Sequence, residues 1–302
     1  MTEPQHPPTS DYEQTLKDYY ETLWAHPERQ YFRHTPWDCG WHFGYAKPGD
    51  TSPDDAVTNM NAFIGDTLGL SHKPGSIILD AGCGMGATTL FLASRYPQCC
   101  FTGLSLAPSE ITLATRLQHD RQITNARFLQ GSYLHTPFAN ASFDAVYALE
   151  SASHAENKTT FVHEMHRILK PGGTLLILDL IPQRTFRYLF HGASLLQQHV
   201  VTLASLNHIL QKEGFQIRSL EDLLKDRRVN LLQILNFTLW YSADAQRRDT
   251  STTKKPRPSL LRWSMERSAI LPSFFLEFLS ILYARYGYYV ITAEKPRESP
   301  RA

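Results

Sequence analysis

The chain has 302 residues, of which 42% are hydrophobic and 20% charged, and 30 basic side chains nearly balance 29 acidic ones. A length near 300 allows one large α/β domain or two smaller ones, each able to bury a core without disulfide or metal cross-links. The apolar fraction excludes global disorder, and a formal net charge of +1 argues against a dedicated nucleic-acid-binding protein, which normally carries a basic domain or stripe.

The predicted elements begin with two helices and then alternate regularly between strand and helix. Helical spacing of apolar residues predicts helices at 11–26 and 54–68. Short apolar runs predict buried strands at 76–82, 99–106, 126–132, 143–151 and 174–180. Helices are predicted between them at 86–97, 108–120 and 158–173. Further along the chain, the pattern predicts a helix–strand pair at 204–220, helices at 229–244 and 273–286, and a strand at 286–295.

The helix predicted at 158–173 is amphipathic, and Pro171 and Gly172 are expected to stop it. Its apolar stripe is formed by Phe161, Met165, Ile168 and Leu169. Short apolar strands that alternate with such helices are typical of βαβ units and a parallel, doubly wound sheet. The sequence therefore predicts an α/β fold.

The compartment is predicted to be the cytoplasm. None of the four cysteines has C-x-x-C spacing, so no disulfide framework is expected. The first residues lack the basic and apolar regions of a signal peptide. The most apolar run, Ile270 to Leu282, is interrupted by Pro272 and Glu277 and is too short to span a bilayer. We therefore expect no transmembrane segment, while peripheral membrane contact through this run and a homo-oligomer both stay open.

A glycine-rich turn follows the first predicted strand, where residues 79–86 read L-D-A-G-C-G-M-G. Glycines at a strand-to-helix turn let the backbone approach a ligand closely and leave helix N–H groups available. The turn also fits the dinucleotide pattern G-x-G-x-x-G/A. Against that alternative, Asp80 suits a cationic ligand with an amino group better than a pyrophosphate, and the second strand ends in G-L-S-L without the acidic ribose ligand.

The strand, the D-A-G-C-G-M-G turn and the following helix resemble the first motif of class I S-adenosylmethionine-dependent methyltransferases. Residues 142–146, S-F-D-A-V, resemble the fourth-strand signature of that family, and residues 167–173, R-I-L-K-P-G-G, resemble its turn before strand five. The resemblance implies an α/β, Rossmann-like, doubly wound fold with a seven-stranded, mostly parallel sheet and an added helical lid. It implies S-adenosyl-L-methionine as the cofactor, with the methionine end lined by Asp80, Gly82 and Gly84 and the adenine flanked by Ser132 and Tyr133.

The second strand resembles one branch of this superfamily. Its G-L-S-L-A-P-S-E is similar to the G-x-T/S-L-S-P-x-Q of sterol, tocopherol and prenyl-diphosphate (terpenoid) methyltransferases. There the ribose contacts come from the main chain and a hydroxyl, which implies roles for Leu104 and Ser105. Tyr20 and the segment W-H-F-G-Y, with His42 and Gly44, resemble the N-terminal part that folds over the cofactor in this branch.

The run L-E-S-A-S-H-A at 149–155 resembles the segment that faces the transferred methyl in the same branch. It implies a cofactor contact for Leu149 and catalytic roles for Glu150 and His154. An oxygen or nitrogen acceptor would lose a proton to either side chain. A carbon acceptor would leave a carbocation, for which Glu150 is the favoured base by resemblance to prenyl-diphosphate members.

Other roles for these side chains stay open at this point. Glu150 is alternatively a strand-end carboxylate that caps the next helix, and His154 is alternatively a structural or solvated histidine. No metal is expected, because no standard ligand spacing is matched by the group His34, Asp38, Cys39 and His42.

The aromatic side chains are distributed unevenly along the chain. Residues 71–180 hold nine of them, while the two flanks hold 26 and all five tryptophans. Ligand pockets are mostly apolar with a few polar anchors, so part of this set is expected to bind a lipophilic substrate and the rest to pack as core. The substrate-binding candidates are Tyr19, Trp41, Tyr45, Glu150, Phe186, Phe190 and Trp240.

The predicted organisation is one structural domain in three parts. An N-terminal helical lid covers 1–70, the cofactor-binding core covers 71–180, and lid insertions with the last strands of the same sheet cover 181–298. The predicted function is methylation of a small, isoprenoid-like metabolite, with C-methylation favoured. The alternatives are an N- or O-methyltransferase of a small amine or phenol, and a non-catalytic cofactor-binding protein. A basic segment at 244–258 either attracts an anionic substrate group or is a solvated loop.

Overall fold

The computed structural model describes residues 10–24, 42–45, 47, 53–184, 199–225 and 286–297. Within these ranges the α-helices are α1 Asp11–Trp24, α2 Pro53–Thr67, α3 Ala87–Arg95, α4 Pro108–Asp120, α5 Lys158–Ile168 and α6 Leu203–Lys212. The strands are β1 Ile77–Ala81, β2 Cys100–Ser105, β3 Ala126–Gln130, β4 Phe143–Leu149, β5 Leu169–Pro182, β6 Gln216–Asp222 and β7 Tyr286–Glu294.

The described strands form a seven-stranded sheet in the order β3-β2-β1-β4-β5-β7-β6. The pairs from β3 through β5 are parallel, whereas β7 pairs antiparallel with both β5 and β6. This confirms the predicted mostly parallel, doubly wound sheet. The strand order reverses between β1 and β4, and in such sheets ligands bind at the carboxyl ends of the strands beside that reversal.

Alternating strand residues build a core on each face of the sheet. Tyr147 and Leu176 belong to the cluster that packs against α2 and α3. Their neighbours Val146 and Leu175 belong to the cluster on the opposite face, against α5 and α6. Successive side chains of a strand point to opposite faces, so one run of consecutive apolar residues serves both layers.

One predicted boundary is wrong. Leu169 was expected on the apolar stripe of the helix, but α5 ends at Ile168 and Leu169 begins β5, paired with Phe143. Pro171 disfavours helical backbone in the residue before it, Lys170. The backbone is therefore extended before the proline, and β5 begins at Leu169. The predicted helices at 229–244 and 273–286 lie outside the described residues, except for Tyr286, which begins β7.

No helix within the described ranges is long and apolar enough to cross a membrane. The apolar run from 270 to 282 lies outside those ranges.

The two-layer core makes a direct stability prediction. Leu176 is fully buried in a central strand, whereas Leu220 on β6 is 40% exposed. Leu176→Ala is expected to lower the free energy of unfolding by about 2–5 kcal/mol, because it removes buried methyl groups and leaves a cavity. The matched control Leu220→Ala is expected to change it by about 0.5 kcal/mol or less. Urea denaturation measures both, and equal losses would contradict the assignment of Leu176 to the core.

Candidate active site

An open cavity lies at the carboxyl ends of β1, β2 and β4. It contains about 870 Å³ of space between protein atoms, counted out to the solvent. Residues of α1 and the segment around His42 border it from the N-terminal side. The predicted site residues that line it are Tyr20, His42, Asp80, Gly82, Gly84, Ser105, Tyr133, Leu149, Glu150 and His154.

The glycine turn forms the floor of the cavity. Gly82 and Gly84 have φ angles of 97° and 50°, a region that residues with a Cβ rarely adopt. The N–H groups of Gly82 and Cys83 both donate to the Leu104 carbonyl at 2.9 Å, which ties the turn to β2. A Cβ on Gly84 would meet no atom closer than Glu110 Oε1 at 3.9 Å. It would therefore occupy space that the turn leaves open for a ligand.

Asp80 places a carboxylate in the cavity wall directly before this turn. Its Oδ2 accepts hydrogen bonds from Thr89 at 2.6 Å and Tyr147 at 2.7 Å. Burial raises the pKa of Asp80 to about 6, and the two hydrogen bonds act in the opposite direction. The carboxylate is therefore ionised at neutral pH, where it suits an ammonium group of a ligand.

A second carboxylate reaches the cavity from a residue that the sequence reasoning missed. Ser105 Oγ donates to Glu110 Oε2 at 2.5 Å, and Glu110 lines the cavity from the first turn of α4. Strand β2 itself ends without an acidic residue, but the following helix supplies one. The available signal was a glutamate two residues after Pro108, since helix first turns favour acidic side chains. A carboxylate beside a serine hydroxyl can accept hydrogen bonds from ligand hydroxyl groups.

Ser132 and Tyr133, the two residues predicted to flank the adenine, have different positions relative to the cavity. Tyr133 lines the cavity, and its hydroxyl donates to the Ser151 carbonyl at 2.9 Å. Ser132 is not among the lining residues. Its Oγ accepts from the Leu134 N–H at 3.0 Å and donates to Glu13 of α1. The structure thus uses Ser132 to hold α1 against the core.

Helix α1 lies along the cavity and is held at a second point. The Ser109 N–H, in the first turn of α4, donates to Glu21 Oε1 at 2.9 Å. Between the Glu13 and Glu21 contacts, Leu16 and Tyr20 line the cavity. The N-terminal flank therefore contributes directly to the cavity wall, and Tyr20 is one of the residues that it supplies.

The H-F-G-Y segment contributes one cavity residue. His42 is buried, with Nδ1 lying 3.1 Å from the Phe43 carbonyl oxygen and Nε2 lying 3.0 Å from Asn61 Oδ1. Burial lowers the pKa of His42, while these hydrogen bonds act in the opposite direction. Gly44 does not line the cavity. A Cβ there would lie 2.4 Å from Ala56 Cβ, so Gly44 allows close packing against α2.

Glu150 lies at the end of β4 in a conformation that is costly for a residue with a Cβ. Its φ is 49°, and strained backbone of this kind is often found at functional sites. Oε1 accepts hydrogen bonds from the Phe43 N–H at 2.6 Å and the Tyr288 hydroxyl at 2.5 Å. The carboxylate therefore binds the N-terminal flank and β7 instead of capping the next helix. Burial raises the pKa of Glu150 to about 8, against the effect of both hydrogen bonds.

His154 ends a one-turn 3-10 helix, Ala152–His154, which we call the His154 turn. Its Nε2 lies 3.2 Å from the Tyr20 hydroxyl oxygen, and the two rings meet edge to face with centroids 5.9 Å apart. Burial raises the pKa of the Tyr20 hydroxyl well above its usual value. His154 is thus a buried residue of the cavity wall rather than a solvated one.

The remaining predicted residues lie elsewhere or outside the described ranges. Leu104 contributes its carbonyl to the glycine turn without lining the cavity. Tyr19 contacts the Tyr20 ring edge to face, and Tyr45 stacks on Phe63 with centroids 5.2 Å apart, and neither lines the cavity. The candidates outside the described residues are Trp41, Phe186, Phe190, Trp240 and the basic segment 244–258.

The part of the chain that the structure describes contains no group of three or more histidine, cysteine or acidic side chains that could hold a metal ion. Among the possible metal ligands named from the sequence, His34, Asp38 and Cys39 lie outside that part.

The geometry fits S-adenosylmethionine, the cofactor implied by the sequence motifs. Asp80 matches a cationic amino group, and the open glycine turn admits the ligand chain. Glu110 with Ser105 matches hydroxyl groups, while Leu16 and Tyr133 supply apolar surface. These features are arranged along one continuous cavity.

Comparison with known proteins gives an independent result. Residues 79–177 match the family model described as a methyltransferase domain. The chain is 34% identical over 142 residues to erythromycin 3''-O-methyltransferase of Saccharopolyspora erythraea, covering 47% of this chain and 46% of that protein. It is 31% identical over 194 residues to O-methyltransferase cnsE of Penicillium expansum, covering 62% and 69%.

The tocopherol-type branch is represented among the relatives. The chain is 34% identical over 142 residues to 2-methyl-6-phytyl-1,4-hydroquinone methyltransferase of Synechocystis, covering 46% of this chain and 42% of that protein. The chain thus spans less than half the length of two of these three relatives.

A solved structure shares the fold over nearly the whole chain. It is the geranyl diphosphate C-methyltransferase from Streptomyces coelicolor in complex with Mg²⁺, geranyl diphosphate and S-adenosyl-L-homocysteine. The TM-score is 0.66 at 16% identity, covering 96% of this chain and 100% of that chain. At this identity the likeness establishes the fold.

Asp80 is expected to make ligand affinity depend on pH. S-adenosylhomocysteine carries the same amino group as the cofactor, so its affinity should fall as the pH drops through about 6 and the carboxylate takes up a proton. We expect a roughly tenfold loss by about pH 5. Asp80→Asn should bind roughly 10–100-fold more weakly at neutral pH and show little of this pH dependence. Titration calorimetry measures both effects.

The control for Asp80 is Asp144→Asn. Asp144 lies at the opposite end of β4, where it binds the Ile77 N–H and Lys170. Its substitution should leave S-adenosylhomocysteine affinity unchanged. An Asp80→Asn protein that binds as tightly as the wild type would contradict the assigned contact.

Glu150 is expected to make stability depend on pH as well. Its pKa rises from 4.5 in the unfolded chain to about 8 in the fold, so the native state holds a proton that the unfolded state releases. Wild-type stability should therefore decrease between about pH 4.5 and 8. Glu150→Gln keeps an acceptor oxygen for Phe43 and Tyr288 but does not titrate. Its melting temperature should match the wild type near about pH 4 and exceed it near about pH 9; a difference independent of pH would contradict this account.

Proposed function

Because the chain belongs to the class I S-adenosylmethionine-dependent methyltransferase family, we propose that it methylates a carbon atom of a small, lipophilic, isoprenoid-like metabolite, with Glu150 as the base. The observation that carries this proposal is the position of the Glu150 carboxylate in the cavity wall, between Leu149 and the His154 turn. When bound, S-adenosylmethionine supplies an electrophilic methyl group on a positively charged sulfur.

The charge of the cavity supports a neutral or cationic acceptor. Asp80, Glu110 and Glu150 all line it, and no lysine or arginine of the described part does so. Acidic and aromatic groups stabilise positive charge, which suits both a sulfonium and a carbocation. An unaccompanied diphosphate would meet like charge here. We therefore favour an uncharged lipophilic acceptor over an anionic one.

The role of Glu150 follows from the proton balance of carbon methylation. An alkene that gains a methyl group is left with a cationic carbon, and loss of a neighbouring proton restores a neutral product. Both hydrogen bonds to Glu150 end on Oε1, which leaves Oε2 to accept that proton. With a pKa of about 8, the ionised carboxylate is a stronger base than that of an ordinary glutamate, and the fraction of molecules in which it is ionised increases as the pH is raised toward 8.

A second candidate is O- or N-methylation of a small phenol or amine. Two observations favour it: two of the relatives are named O-methyltransferases, and His154 contacts the Tyr20 hydroxyl at the cavity wall. In this case His154 would take the proton of the acceptor, since an imidazole titrates close to neutral pH. The carboxylate of Glu150 would then orient the acceptor.

The experiment is an acceptor panel that measures S-adenosylhomocysteine production. It compares prenyl alcohols, prenylated hydroquinones, sterols and geranyl diphosphate with small amines and phenols. Turnover of the lipophilic alkenes with a new carbon–methyl bond is the expected result. Turnover of phenols or amines alone supports the second candidate. A protein that binds S-adenosylhomocysteine but methylates no acceptor of the panel overturns the proposal in favour of a non-catalytic cofactor-binding protein.

Glu150→Gln and His154→Gln separate the two candidate bases. Under the proposal, Glu150→Gln lowers kcat by about 10²–10⁴-fold, whereas His154→Gln has a smaller effect. The wild-type kcat should rise as the pH is raised through about 8, where Glu150 loses its proton, and this dependence should be absent in Glu150→Gln. A larger loss in His154→Gln would assign the proton transfer to the histidine.

A further inference from the structure

Lys158 is a buried cation that has no role in the proposed cofactor binding or proton transfer. It is 7% exposed and is the first residue of α5. A positive charge in the first turn of a helix opposes the helix dipole, and burial adds a desolvation cost. A compensating interaction must therefore hold the ammonium group at this position.

That interaction is a set of three main-chain carbonyls. Lys158 Nζ donates to the Ser153 oxygen at 2.9 Å, the Ala155 oxygen at 2.7 Å and the His199 oxygen at 2.5 Å. An ammonium group has three N–H donors, so each is matched by one acceptor. Burial lowers the pKa of Lys158 to about 8, and Asp179 acts in the opposite direction, so the third proton is retained at neutral pH.

Asp179 holds the same turn from the other side. Its Oδ2 accepts from the Ser153 N–H at 2.8 Å, and its Oδ1 accepts from the Leu180 N–H at 2.9 Å. The peptide groups on both sides of Ser153 are thus fixed by opposite charges. The next residue of the turn is His154, whose ring meets Tyr20.

The third carbonyl connects the lysine to both flanks of the chain. His199 lies four residues before the first residue of α6, and its ring packs edge to face on Tyr12 of α1 with centroids 4.3 Å apart. Eight residues further along α1, Tyr20 contacts His154. The contacts therefore form a closed path from Lys158 through His199, Tyr12 and Tyr20 back to the His154 turn.

We propose that Lys158 is a positioning residue of the methyl-transfer site. By bonding three carbonyls, it fixes the His154 turn against Tyr20 and joins that turn to the chain at His199. It lines no part of the cofactor cavity, so it acts on the reacting groups without contributing to cofactor binding. This inference rests on the proposed function, because it assigns to Lys158 the geometry of the wall that would contact the acceptor.

The test uses Lys158→Met in the full-length chain, which keeps the side-chain length and removes all three donors. Against the best acceptor of the panel, kcat is expected to fall about 10–100-fold, as expected for misplaced reacting groups. The dissociation constant for S-adenosylhomocysteine should stay within about twofold, in keeping with the position of Lys158 outside the cavity. With ¹³C-labelled histidine, the ring resonance of His154, assigned with His154→Gln, should shift.

Three further variants make the test specific. Lys170→Met removes a half-exposed lysine that pairs with Asp144 at the far end of the sheet and should change none of these measurements. Lys158→Arg keeps the charge and should restore part of the lost kcat. Asp179→Asn, nearly isosteric, should also shift the His154 resonance, and it replaces Lys158→Met if that variant does not fold.

The inference is overturned if Lys158→Met keeps kcat within about twofold and leaves the His154 resonance unchanged. It is also overturned if cofactor affinity and kcat fall in equal proportion, since that pattern marks a general loss of structure. A wild-type protein without turnover on any acceptor refutes the proposed function instead. The His154 resonance then still tests the positioning role.

Discussion

The parallel pairing of β1 with β2 on one side and β4 on the other is the constraint on which the site depends. All three strands end at one edge of the sheet, so the residues that follow them come together: Gly82, Ser105 at the end of β2, and Glu150. Because α3 and α5 then leave on opposite faces, a crevice opens between them. Other side chains that line the cavity reach this edge from α1, from the first turns of α3 and α4, from the His154 turn and from the segment at 42–45.

The crevice concentrates acidic side chains, and no lysine or arginine among the described residues lines it. Asp80 is bonded by Thr89 and Tyr147, Glu110 by Ser105, and Glu150 by Tyr288. Hydroxyl donors satisfy Asp80 without cancelling the charge that it carries at neutral pH, whereas Glu150, with a pKa of about 8, adds its charge only as the pH is raised. Buried carboxylates are costly in the free protein, and a cationic ligand recovers part of that cost on binding. Burial raises the pKa of Asp80 to about 6 and that of Glu150 to about 8, although the hydrogen bonds to both groups act in the opposite direction.

Local patterns in the sequence named many of the residues that line this cavity, while other predicted residues lie elsewhere and two charged residues were not predicted. The glycine turn and Asp80 follow from motif and spacing, and the cavity contains both. Ser132 was expected to flank the adenine, but it binds Glu13, which is 119 positions away. Glu110 was missed because it belongs to helix α4, whereas an acidic ribose ligand is expected at the end of strand β2. Lys158 carried no signal at all, since a lysine at the start of a helix looks like a solvated residue.

The sequence by itself determined the order of strands and helices, the turn that admits the cofactor and the acidic residues at the strand ends. These depend on hydrophobic period and on glycine and proline positions within a few residues. Only the tertiary structure decided what each polar group binds. Glu150 meets Phe43 and Tyr288 across 107 and 138 positions, and Lys158 meets His199 across 41. Such contacts are selected by packing and by the need to satisfy buried polar groups, and no local spacing encodes them.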